Sequence, residues 1–214
     1  MHQFAPYLDF ANHHGNATPD DVKKLCENVT KYGFHAAFVN PIYVALAKSM
    51  GVRVGTAISF PLGQDTVDTK VAAAVQAITH GADELDVVPD TALLLTDPTG
   101  AKYLSEMQTV CAATKAARPD VIVKFILEVG YLTPEQISLG AAMIQKSGAD
   151  YVKFATGMGP RGASLEDFAL VRKAVGPDMK IKVSGGIDTY EEAEGFIKAG
   201  VTRIGTSKAI EIVS

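Results

Sequence analysis

Gly148-Ala149-Asp150-Tyr151-Val152-Lys153-Phe154-Ala155-Thr156-Gly157 is the stretch that decides the fold. It opens on a glycine, runs through aromatic and β-branched residues, and closes on a second glycine. Such a run reads as a short buried strand between turns. The fourteen residues before it, Pro134–Ser147, carry the apolar spacing of a helix. The unit is therefore helix, glycine stop, strand. It recurs at Gly33-Phe34-His35-Ala36-Ala37-Phe38, at Gly81-Ala82-Asp83-Glu84-Leu85-Asp86 and at Gly200-Val201-Thr202-Arg203-Ile204-Gly205. The fifth residue after each glycine, namely Phe38, Asp86, Lys153 and Gly205, should sit at an equivalent place near a strand's carboxyl end.

Outward from these phrases, eight apolar runs read as strands: Tyr7–Phe10, His35–Val39, Arg53–Ile58, Glu84–Val88, Val121–Leu127, Tyr151–Phe154, Lys180–Val183 and Thr202–Ile204. Helical patterns lie between them at Asp20–Tyr32, Thr66–His80, Tyr103–Ala117, Pro134–Ser147, Leu165–Val175 and Tyr190–Ala199. Thr18-Pro19-Asp20-Asp21, Thr133-Pro134-Glu135-Gln136, Ser164-Leu165-Glu166-Asp167 and Thr189-Tyr190-Glu191-Glu192 are start signals, in which a hydroxyl caps the helix and an acidic or amide residue follows. Strand and helix in strict alternation imply parallel strands with crossover helices. Eight such units fit a closed α/β barrel, a single (β/α)8 TIM barrel over residues 1–214, with an open doubly wound sheet as the alternative. No Pro/Gly/Ser-rich linker suggests a second domain.

Composition narrows the function. The chain has 214 residues, 47% of them hydrophobic, and a net charge of −4. That balance points to no nucleic acid and no membrane surface as partner. No apolar stretch approaches the roughly 20 residues of a membrane helix. The segment Met1–Pro6 reads as no signal peptide. Cys26 and Cys111 lack metal-type or redox-type spacing, so a reducing cytoplasmic setting is expected. Small molecules are the expected partners, and a homo-oligomer, dimer or tetramer, stays open.

Chemistry concentrates on two lysines at strand ends. Val152 and Phe154 belong on the helix-facing side, so Lys153 points into the barrel. A snorkelling lysine is the bland reading of either residue alone. Inside a barrel, burial lowers the amine's pKa from about 10.4 and frees its lone pair for attack on a carbonyl. Lys182, in Lys180-Ile181-Lys182-Val183-Ser184-Gly185-Gly186, is expected to remain cationic beside Lys153 and so favour its neutral form. Asp86 is the matching proton carrier for imine formation and hydrolysis. Lys124 and Glu128 share one strand face and read as a supporting ion network. Gly157, the Ser184-Gly185-Gly186 turn and Gly205-Thr206-Ser207 follow the sixth, seventh and eighth strands, where backbone N–H groups cradle phosphates in many barrels. His13-His14 has no carboxylate or cysteine at ligand spacing, so no metal is expected.

These phrases resemble the deoxyribose-phosphate aldolases, a family of class I aldolases. The likeness runs through Phe60-Pro61-Leu62-Gly63, the Gly81 and Lys153 phrases, Val123-Lys124-Phe125-Ile126-Leu127-Glu128, Lys182-Val183-Ser184-Gly185-Gly186-Ile187 and Arg203-Ile204-Gly205-Thr206-Ser207. The resemblance implies reversible cleavage of 2-deoxy-D-ribose 5-phosphate to acetaldehyde and D-glyceraldehyde 3-phosphate, with no cofactor or metal. Lys153 matches the Schiff-base lysine, Lys182 the second lysine and Asp86 the proton-relay aspartate. Gly157, Gly185, Gly186 and Ser207 match phosphate-loop positions, and Thr156, Gly205 and Lys208 are counted with them. Asp9 is the one acid kept in the first-strand motif. The chain departs from the family pattern at several places. Phe38 stands for a common cysteine, Phe154-Ala155 for two hydroxylated residues, and Asp188 for a common arginine. A different sugar phosphate, an unphosphorylated aldol substrate or a non-catalytic sugar-phosphate-binding barrel are the alternatives.

Overall fold

The computed structural model describes residues 2–214. Eight parallel strands close into a barrel in the order β1 to β8, with β8 pairing back to β1. The strands are β1 (Leu8–Asn12), β2 (Ala36–Val39), β3 (Val54–Ile58), β4 (Glu84–Val87), β5 (Ile122–Ile126), β6 (Tyr151–Phe154), β7 (Lys180–Ser184) and β8 (Arg203–Thr206). The helices are α1 (Pro19–Tyr32), α2 (Val44–Ser49), α3 (Val67–Thr79), α4 (Thr91–Thr96), α5 (Ala101–Ala117), α6 (Pro134–Lys146), α7 (Leu165–Val175), α8 (Tyr190–Ala199) and α9 (Ala209–Val213). Closure excludes the open doubly wound sheet.

All four cap signals operate. Thr18, Thr133, Ser164 and Thr189 each accept the N–H three residues on, and the residue there returns a bond to the cap's own N–H. Gly33 ends α1 and Gly200 ends α8 in the left-handed conformation, satisfying the last carbonyls. The helices α2, α4 and α9 are five or six residues long, too short for an apolar period to show in sequence. Strand ends moved by one or two residues at β1 and β8, where Ala5–Tyr7 instead forms a 3-10 turn leading into β1.

Strand parity sorts the core. Val152 and Phe154 are fully buried among the apolar side chains between barrel and helices. Lys153, between them, faces the barrel interior with Lys182 as its register partner on β7. Inside the barrel, Phe38 on β2 lies opposite Gly55 on β3. A Cβ at Gly55 would come within 2.2 Å of the Phe38 ring, so the glycine is what admits the aromatic.

Candidate active site

Five strands deliver six buried ionisable side chains to one interior layer. Asp9 comes from β1, Glu84 and Asp86 from β4, Lys124 from β5, Lys153 from β6 and Lys182 from β7. Asp86 is the hub. Its Oδ2 lies 2.9 Å from Lys153 Nζ and 2.8 Å from Lys182 Nζ, while its Oδ1 accepts from Lys124 Nζ at 2.8 Å. Lys182 Nζ also approaches Asp9 Oδ2 at 2.6 Å, off the hydrogen-bond line, and Lys124 Nζ pairs with Glu84 Oε2 at 2.6 Å. Three lysines thus meet three carboxylates, which makes burial of all six tolerable.

Electrostatics separates the lysines. Burial pushes the Lys153 amine down to about 8, helped by the Lys182 ammonium and opposed by Asp86. Lys124 is held above the usual lysine range, because Asp86 and Glu84 outweigh its burial. Burial would raise the Asp86 carboxyl, yet the ammonium groups of Lys124, Lys153 and Lys182 hold it well below the usual carboxylate range. The sequence leads us to expect both burial and the Lys182 charge to lower the Lys153 pKa, without ranking them. Burial is the larger one, since the Lys182 charge is itself matched by Asp86 and Asp9.

Above this layer opens a cavity of about 240 Å³. Phe38, Asp86, Lys153 and Gly205 all line it, so the four glycine phrases do place their fifth residues together. Thr156, Gly157, Gly185, Gly186 and Ser207 line the same cavity. The glycine turns press against each other: Gly185 has φ 86°, and a Cβ on it would fall 2.8 Å from the Gly157 Cα. Gly205 has a further role, since a Cβ there would crowd Lys182 Cε at 3.1 Å.

Two candidates sit elsewhere than expected. Glu128 does not join Lys124 in the ion network, because β5 ends at Ile126 and the chain turns away. Its Oε2 instead takes the Thr156 N–H at 3.0 Å and the Thr156 hydroxyl, which fixes the cavity wall. Lys208 is not among the cavity-lining residues. It precedes α9, and its ammonium reaches Glu211 at 3.2 Å.

The sequence reading places Phe38 at a strand end without giving it a role, and it misses the parts played by Glu84 and His13. Phe38 lies against the lysines, its ring centroid 3.6 Å from Lys182 Nζ and 4.8 Å from Lys124 Nζ, an attractive cation–π arrangement. The mid-strand glycine Gly55 was its available signal. Glu84 belongs to the lysine layer, and also takes His35 Nε2 at 2.8 Å. His13 lines the cavity with its imidazole pushed down to about 4, chiefly by burial and then by Lys153, so it is neutral at pH 7.

Residues 5–205 match the model of the DeoC/LacD family aldolases. A deoxyribose-phosphate aldolase of Caldanaerobacter subterraneus subsp. tengcongensis is 41% identical over 204 residues, covering 92% of this chain and 87% of that protein. The enzyme of the same name from Thermococcus gammatolerans is 42% identical over 216 residues, covering 98% and 94%. Among solved structures, a tetrameric deoxyribose phosphate aldolase from Aeropyrum pernix superposes with a TM-score of 0.90 at 31% identity, covering 98% of this chain and 89% of that one. An aldolase called QR15 gives 0.92 at 32%, covering 100% and 95%. Family model, relatives and solved structures agree over nearly the whole barrel, and the chain belongs to the DeoC/LacD family of aldolases.

Proposed function

We propose that this aldolase reversibly cleaves 2-deoxy-D-ribose 5-phosphate to acetaldehyde and D-glyceraldehyde 3-phosphate, with Lys153 as the imine-forming residue. The observation that carries the reading is the Lys153 amine, pushed down to about 8 while sharing one carboxylate oxygen with Lys182. A lysine so placed has a usable neutral fraction near pH 7, and its neighbours stay tied in ion pairs.

The neutral amine adds to the aldehyde carbon of the open-chain sugar, and the carbinolamine loses water to give a protonated imine. Removal of the C3 hydroxyl proton breaks the C2–C3 bond. Its electron pair moves into the imine, leaving an enamine on Lys153 and releasing D-glyceraldehyde 3-phosphate. Protonation of the enamine carbon and hydrolysis then free acetaldehyde and restore the amine. Asp86 relays the protons through water in the cavity. Lys182 biases Lys153 toward its neutral form. Lys124, Asp9 and Glu84 keep the layer neutral, and Glu128 holds Thr156 in the wall. The backbone N–H groups around Gly157, Gly185, Gly186 and Ser207 are the proposed phosphate cradle.

The same reading extends to assembly and setting. A homo-oligomer is supported by the tetrameric Aeropyrum pernix neighbour. A cytoplasmic, reducing compartment suits the free, buried Cys26 and Cys111.

The test is borohydride reduction in the presence of acetaldehyde, read by peptide mass. A two-carbon adduct on Lys153, absent from Lys153→Ala, is the expected result, together with release of acetaldehyde from the sugar phosphate. An adduct on another lysine, or none, refutes the assignment.

A further inference from the structure

Breaking the C2–C3 bond needs a base at the C3 hydroxyl, and Asp86 is poorly suited to be that base. Burial would raise its carboxyl, but the three lysine ammonium groups that engage both its oxygens hold it well below the usual carboxylate range. Besides Lys153 and Lys182, the other titratable side chains lining the cavity are His13, His14 and Asp188. His14 and Asp188 are exposed, whereas His13 is half-buried. Asp9, Ala11 and His13 fall on one side of β1 by strand parity, so His13 follows the lysine layer upward, one residue past the strand. Its ring packs on that of Phe60, another wall residue, with centroids 5.2 Å apart. Among the described residues neither ring nitrogen finds a hydrogen-bond partner. Nδ1 is enclosed, and Nε2 is the nitrogen left accessible.

From this arrangement we infer that His13 is a catalytic residue of carbon–carbon cleavage: its Nε2 accepts the proton of the C3 hydroxyl and then returns it to the enamine carbon. As the proton moves to Nε2, the O–H electron pair becomes the carbonyl bond of the departing aldehyde. The C2–C3 pair becomes the enamine double bond, and the imine nitrogen recovers its lone pair. Once the aldehyde has left, the Nε2 proton passes to C2, which restores the protonated imine and the neutral ring. No proton is gained or lost over the two steps, and Asp86 keeps those of the carbinolamine. The charge on Lys153 times the transfer. Burial, then the Lys153 ammonium, push the imidazole down, while Asp86 opposes them. A protonated imine keeps that positive charge on Lys153, and cleavage removes it. The ring is therefore most basic when it must hold a proton, and return of the cation drives the proton off. The inference rests on the imine reading of Lys153, and the experiment separates the two.

The experiment compares the unmodified enzyme with His13→Gln and His13→Ala. It reads turnover of 2-deoxy-D-ribose 5-phosphate, exchange of the acetaldehyde methyl protons with solvent deuterium, and borohydride trapping of acetaldehyde. Exchange passes through the same enamine but needs no sugar phosphate, so it reports the proton at C2 alone. In both variants turnover and exchange should fall together, about 10²- to 10³-fold and mainly through kcat, while the Lys153 adduct still forms. Turnover or exchange within about threefold of the unmodified enzyme overturns the inference. Loss of the adduct along with both rates also overturns it, because His13 would then shape the site rather than move a proton. In either case an adduct on Lys153 of the unmodified enzyme leaves the aldolase reading standing. No adduct in the unmodified enzyme overturns both.

Discussion

Replacing Asp86 with asparagine removes the one carboxylate that Lys124, Lys153 and Lys182 share. At the 2.9 Å between Lys153 Nζ and Oδ2, the attraction is about 6 kcal/mol at an effective dielectric near 20, before water and the remaining carboxylates screen it. Asp86 is also the leading influence that raises the Lys153 pKa against burial. Its loss lets the pKa fall below about 8, and Lys182, freed from the same oxygen, repels the Lys153 ammonium more strongly. At pH 7 a lysine of pKa about 8 is roughly one-tenth neutral, and a further fall of about one unit makes it half neutral. Imine trapping in Asp86→Asn should therefore reach its midpoint at lower pH than in the unmodified enzyme. Turnover should nevertheless fall about 10²- to 10⁴-fold, because the proton relay is gone. Leaving buried ammonium groups without their partner should cost about 3–5 kcal/mol of stability. The sign of its pH dependence follows from linkage. A lysine whose folded pKa lies below 10.5 binds fewer protons folded than unfolded, so the variant gains stability as pH rises from its lowered midpoint toward 10.5. The measurements are the midpoint of the borohydride-trapping profile, the turnover rate and thermal unfolding at several pH values. A trapping midpoint at or above that of the unmodified enzyme refutes the electrostatic argument, whatever the turnover.

Lys182→Leu should move the same midpoint the opposite way, up from about 8 by roughly one unit, since it deletes a neighbouring positive charge and leaves Asp86 more available to Lys153; an unchanged pH–rate profile removes that role for Lys182. Gly55→Ala should cost about 1–3 kcal/mol by forcing a methyl against the Phe38 ring. In a Phe38→Leu background the same change should cost less by about 1 kcal/mol or more, and additive costs in thermal or urea unfolding would show that the two residues do not compete for the space.

The fold was legible because its signals are local and repeated. Each glycine stop, cap box and apolar run is complete within one βα unit, and the parity of Val152 and Phe154 suffices to turn Lys153 inward. What the sequence did not reveal depends on closure or on chain direction after a strand. Asp9 reaches Lys182 across the seam between β8 and β1, a pairing that no spacing encodes. Glu128 has the right parity for the ion network, yet the strand stops two residues earlier and its carboxylate meets Thr156 instead. Phe38 is placed at a strand end by its glycine phrase, but its ring has no stated role until Gly55 is placed opposite it. The sequence likewise shows Lys182 without its counter-charges. Its charge stands out in the sequence, whereas the two carboxylates that match it arrive from strands far away in the chain.

The lysine layer divides the chain electrically. Every carboxylate in it, Asp9, Glu84 and Asp86, comes from the first four strands, and every ammonium, Lys124, Lys153 and Lys182, from the last four. Neither half-barrel can bury its inner face alone: Glu84 has Arg53 within its own half, but Asp9 and Asp86 in one half and the three lysines in the other would go unmatched. Docking of the halves is what neutralises them. Completion of the fold and assembly of the reactive centre are consequently one event, and a half-closed barrel has neither a stable interior nor an amine poised to react.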